Sequence, residues 1–119
     1  MPRLQRRSFS APDQVRVSGL GRIEVINLDE TAIGRFVFRP GWRWSKDVAP
    51  IVGTETCQNR HVGFAISGQL HVVMTDGTEL DIVPDDAFEI PPGHDAWVVG
   101  DVPVVVIDIS GMEHYAKTK

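Results

Sequence analysis

Short apolar runs alternate with Gly, Pro, Asn and Asp along most of the chain. Ile23 to Leu28 and Ala32 to Phe38 read as strands, the second closed by Arg39-Pro40-Gly41. Val62 to Ile66 ends at Ser67-Gly68. Gln69 to Thr75 ends at Asp76-Gly77, a dipeptide whose tolerance of left-handed backbone makes it a strong hairpin signal. Thr78 to Val83 follows, with Pro84-Asp85-Asp86 as a turn, and Ala87 to Ile90 then runs into Pro91-Pro92-Gly93. Ala96 to Val99 ends at Gly100-Asp101, and Val102 to Ile109 is a long β-branched run. Trp42 and Trp44 stand two apart, so on a strand they share a face. No stretch sustains a 3.6-residue period, and only Gly111 to Lys119 has room for a helical turn or two. Strand-length segments with regularly spaced turns predict an all-β sandwich or closed barrel.

Composition narrows this to an ordinary globular chain. Its 119 residues are 42% hydrophobic and 24% charged, which suits one domain. The chain reads as a flexible arm over residues 1–13 and a single barrel domain over 14–119. The arm is basic, carrying Arg3, Arg6 and Arg7. Arg6-Arg7 resembles a twin-arginine export signal, but Ser10-Ala11-Pro12-Asp13 stands where such a signal needs an apolar stretch. A net charge of −4 argues against a nucleic-acid partner. No run is long and apolar enough for a membrane-spanning helix, so the expected location is cytoplasmic. One cysteine excludes an intrachain disulfide and suits a reducing compartment.

The segment from Gly53 to Val99 resembles the cupin family on two sets of landmarks. Gly53 opens the first and Gly68 closes it, in Ala65-Ile66-Ser67-Gly68-Gln69-Leu70. The second is Pro84-Asp85-Asp86-Ala87-Phe88-Glu89-Ile90-Pro91-Pro92-Gly93-His94-Asp95-Ala96-Trp97, beyond the Asp76-Gly77 hairpin. The resemblance implies a cupin-type double-stranded β-helix, a jelly-roll barrel. It also implies pairing as a homodimer and a metal site inside the barrel. The ligand positions depart from the family pattern, however. Where the family has His-x-His and then Glu, this chain has Glu55-x-Cys57 and then His61. All three residues are replaced, yet each replacement can itself bind a metal. The family's final His falls at Ala96, which cannot ligate, while His94 lies two residues earlier and on the same face of a strand.

The expected metal ligands are therefore Cys57, His61, His94 and Glu55. Zinc suits a thiolate and imidazole mixture best, with iron or nickel as alternatives. Glu55 is equally readable as an orienting group or a surface carboxylate, and Cys57 and His61 as ordinary buried side chains. Trp97, Trp42 and Trp44 are expected to wall a pocket for a small polar ligand; their alternative place is the core or an interface. Cys57 with His61 also reads as a nucleophile and base, but no third group is evident in the sequence. His94-Asp95 does not make a dyad on a strand, because neighbours face opposite ways. Arg39 and Arg43 read as a solvated edge before an anion site, and His71 as a core or surface residue. Three functions stay open: a metal-binding cupin that holds a small ligand, a metal-dependent isomerase, lyase or dioxygenase, and a metal-free sensing module.

Overall fold

The computed structural model describes residues 3–109. Nine strands account for about half of it: β1 (Gln14–Ser18), β2 (Gly21–Asn27), β3 (Ala32–Phe38), β4 (His61–Ser67), β5 (Gln69–Met74), β6 (Glu79–Ile82), β7 (Ala87–Ile90), β8 (His94–Val99) and β9 (Val104–Asp108). They form two antiparallel sheets. The larger has the order β1-β2-β3-β9-β4-β7 and the smaller β6-β5-β8. The all-β class read from the turn pattern, and the jelly-roll barrel that the family resemblance implied, are the arrangement observed. The β3 and β7 segments match the sequence reading residue for residue, and β5 ends at the Asp76-Gly77 turn, where Gly77 takes φ 91°.

Alternation explains the core. Inward positions on facing strands bring Ile23, Val25, Phe36, Phe38, Leu70, Val72, Val104 and Val106 together between the sheets. Trp42 and Trp44 join them, each 2% exposed. Arg43 between them is extended, at φ −144° and ψ 131°, so both indoles do point the same way. No strand forms there: Arg43 makes an isolated bridge to Trp97, and the chain then makes two single-turn helices, α1 (Trp44–Asp47) and α2 (Ala49–Val52). These correct the expectation of no helix before Gly111. One turn is too short to show a period; Pro50 near the start of α2 and left-handed Gly53 at its end were the available signs. The helical turn expected at Gly111–Lys119 lies outside the described residues.

The segment before β1 is tied to the larger sheet. Arg3 makes a bidentate pair with Asp29 at 2.8 and 3.0 Å, and Arg7 pairs with Asp13. Among the described residues, no helix is long and apolar enough to cross a membrane.

Candidate metal centre

Three side chains from different parts of the chain meet inside the barrel. His61 opens β4, His94 opens β8, and Cys57 sits in the loop before β4. Backbone pairing brings Cys57 to His94: the Cys57 N–H donates to the His94 carbonyl at 2.8 Å, and Gly93 N–H to the Cys57 carbonyl at 2.7 Å. Residues paired in this way carry their side chains on one face, side by side. His94 and Ala96 both point inward, as their spacing requires. The Cys57 Sγ, His61 and His94 ligand atoms lie within 4.8 Å of one another, and all three residues are buried.

The outer contacts aim the imidazoles. His94 Nδ1 lies 2.6 Å from the Pro91 carbonyl, which only accepts, so Nδ1 carries the proton and Nε2 keeps its lone pair. His61 Nδ1 donates to the Asp108 carboxylate at 2.6 Å and turns Nε2 toward Cys57 Sγ, 3.5 Å away. A carbonyl or carboxylate behind the far ring nitrogen is how metal-binding histidines are oriented. Asp108 was not anticipated. The available sign was its place in the β-branched run: it keeps the inward parity of Val104 and Val106 and is 1% exposed. An acid at a core position of a strand needs a partner, and here that partner is His61.

Charge in the cluster is coupled. Burial pushes the Cys57 thiol up, but hydrogen bonds from His61 and then His94 outweigh it, and the pKa falls from 9.0 to about 6. Burial pushes His61 down, but Asp108 and then Cys57 outweigh it, and its pKa rises from 6.5 to about 9. The two groups titrate as a pair. At neutral pH they form a thiolate and an imidazolium.

Beside the cluster is a cavity of about 30 Å³, walled by Phe36, Phe38, Trp42, Trp44, Leu70 and Phe88 among others, with His61, His94 and Asp108 on one side. A cavity this size takes a water or two, against roughly 300–1,000 Å³ for a typical organic ligand.

Two expected members of the site are elsewhere. Glu55 is exposed and outside the Cys57–His61–His94 cluster. Its loop positions obey no strand alternation until Cys57 pairs with His94. Trp97 is on the outer face of β8, because its neighbours Ala96 and Val98 take the inward positions. There its ring lies between the Arg43 guanidinium, 4.4 Å from the centroid, and the His71 ring, 4.8 Å away. Asp95 also faces out, accepting from Arg43 and the Ser45 N–H, so His94 and Asp95 are not a dyad.

No protein-family model matches the chain, and no curated protein matches it in sequence. Solved structures do match its fold. A protein of unknown function from Rhizobium leguminosarum bv. viciae 3841 aligns with TM-score 0.66 at 18% identity, covering 92% of this chain and 97% of that one. A cupin-like protein from Thermotoga maritima aligns with TM-score 0.54 at 20% identity, covering 79% and 70%. A cupin superfamily protein from Desulfitobacterium hafniense aligns with TM-score 0.50 at 19% identity, covering 91% and 84%. At these identities the likeness shows the fold.

Proposed function

We propose that this chain, whose fold is that of the cupins, holds one divalent metal ion on Cys57, His61 and His94. The observation that carries the reading is the donor geometry: three ligand atoms converge, with both Nδ1 atoms engaged behind them. The 3.5 Å between Cys57 Sγ and His61 Nε2 is close to the ~3.6 Å edge of a tetrahedron built on ordinary zinc–sulfur and zinc–nitrogen bonds. One thiolate and two imidazoles suit zinc best, with iron or nickel as the other candidates.

Three protein ligands leave a fourth position, and among the described residues no further carboxylate joins the cluster, Glu55 being exposed. The small cavity is the space for that position. Such an ion supplies a Lewis acid and lowers the pKa of a bound water. The chain's own part is to hold His61 and His94 in one tautomer and to exclude bulk water. The arrangement favours a metal-dependent enzyme over a closed structural site. Elemental analysis of protein purified without added metal is the test. About one equivalent of a transition metal is expected, falling below about a tenth in Cys57→Ser and His94→Ala. Wild-type protein below a tenth of an equivalent after reconstitution would sink the reading.

A second reading has its own support. Cys57, His61 and Asp108 form a nucleophile–base–orienter chain at 3.5 and 2.6 Å, and Asp108 supplies the third group the sequence did not reveal. Against it, Cys57 is 1% exposed and its N–H is spent on the His94 carbonyl rather than free for an oxyanion. Rapid alkylation of Cys57 by iodoacetamide in metal-loaded protein would favour this reading over the metal centre.

A further inference from the structure

The interior beside the triad is too small for an organic ligand, so a ligand of that size must sit elsewhere and reach inward. β6 and β7 are consecutive strands that lie in different sheets. Each is a sheet edge, since β6 pairs with β5 and β7 with β4. The turn between them is pinned by three hydrogen bonds: Asp85 N–H to the Ala65 carbonyl at 3.0 Å, Ala65 N–H to the Asp86 carbonyl at 2.9 Å, and Val83 N–H to the Asp86 carboxylate at 2.9 Å. The two edges diverge from this fixed corner and leave a groove of about 480 Å³. That volume falls in the range of small-molecule sites.

The groove floor is Val72, Ile82, Phe88 and Ile90. Phe88 and Ile90 also wall the 30 Å³ cavity at the triad. The two spaces are therefore separated by a layer one side chain thick. Ile90 is buried, whereas Phe88 is half-buried and the freer of the two. Among the described residues, five carboxylates line the groove, Glu79 and Glu89 among them, and no cationic side chain does. His71 and Arg60 meet some of these acids from outside the lining.

We propose that the β6–β7 groove is the ligand-binding vestibule of the triad, that it takes a non-anionic small molecule with an apolar body, and that Phe88 is the partition it must pass. This rests on the metal-centre reading for its destination. The groove supplies the area a ligand needs, and its apolar floor runs without a break to the inner cavity. Like-charge repulsion at the rim excludes carboxylates and phosphates.

Cys57 is the only thiol in the chain and lies 3.5 Å from His61, so its labelling reports arrival at the triad. Metal-free protein is treated with 2-aminoethyl and 2-sulfonatoethyl methanethiosulfonate, and each rate is divided by that of the urea-unfolded chain. The cationic reagent is expected to react about tenfold faster than the anionic one, and the double variant Glu79→Gln/Glu89→Gln to lose most of that ratio. Phe88→Ala is expected to speed both reagents about tenfold, and Leu70→Ala, which widens the inner cavity at a residue that does not line the groove, to change them less than about twofold. Phe88→Trp is expected to slow labelling, which a loosened barrel would not do. Equal normalised rates for the two charges would overturn the ligand class. Equal effects of Phe88→Ala and Leu70→Ala, or no labelling of either, would overturn the route. A protein that binds no metal yet gives the expected rates loses only its metal. One that binds metal but fails these comparisons loses only the vestibule.

Discussion

Asp108 is the residue on which the cluster depends most after its three ligands. It fixes the His61 ring and sustains the charge pair with Cys57. Asp108→Asn keeps the shape but removes the charge, and is expected to weaken zinc binding about 10- to 100-fold, read by competition with a chromophoric chelator. The pKa shifts have a direct readout. In metal-free protein the 240 nm thiolate band is expected to titrate with a midpoint near 6, as the Cys57 value requires. In His61→Gln the midpoint moves up, because burial is then opposed only by His94. The linkage signs are opposite. Cys57, lowered, contributes stability that is complete above 9.0 and lost as pH falls through about 6. His61, raised, contributes stability that is complete below 6.5 and lost as pH rises through about 9. The slopes cancel across pH 6.5 to 9, so the metal-free pair is expected to leave stability flat there. A metal held as proposed would displace the His61 proton, so its affinity is expected to rise with pH over the same window.

At the scale of elements, the site exists because β9 comes unusually close to β4. Gly63 stands opposite Asp108, and a Cβ added there would lie 1.8 Å from the Ile107 carbonyl oxygen. Gly63→Ala therefore must push β9 outward and draw Asp108 from His61. It is expected to cost about 1–3 kcal/mol in urea unfolding and to weaken metal binding as Asp108→Asn does. The loop carrying Cys57 gains its position from two backbone hydrogen bonds to the start of β8, not from local preference. The left-handed φ of 92° at Gly93 sets the angle at which β8 begins and so aims His94.

At the scale of the whole molecule, the larger sheet buries one face and carries an apolar strip on the other. Phe64 and Ile66 on β4 are 47% and 51% exposed, and Ile109 just past β9 is 52% exposed. Phe64 stands beside Ile107 across the pair. The homodimer expected from the sequence is proposed to form through this strip, which Arg35 and Glu89 flank on the neighbouring strands. Phe64→Glu is expected to shift the sedimentation coefficient from dimer to monomer and leave metal content unchanged. A wild-type chain that sediments as a monomer at high micromolar concentration would remove the proposal.

The sequence by itself determined eight of the nine strands, all but β1, because a strand's period and its turn residues are local properties. Ala32 to Phe38 and Ala87 to Ile90 were legible to the residue for that reason. Two of the candidate positions were legible too: Cys57 and His61 stand where a known pattern places chemistry, whereas His94 stands two residues before its place, at Ala96. Tertiary structure decided the rest. Glu55 and Cys57 stand two apart, yet only Cys57 is drawn inward, because a loop has no alternation of its own until a strand pairs with it. Asp108 joins the site across 47 residues of chain. Its partner is set by the order of strands in a sheet, which no local pattern encodes. The size of the interior, and with it the separation of triad from groove at Phe88, follows from how side chains of both sheets fill one space.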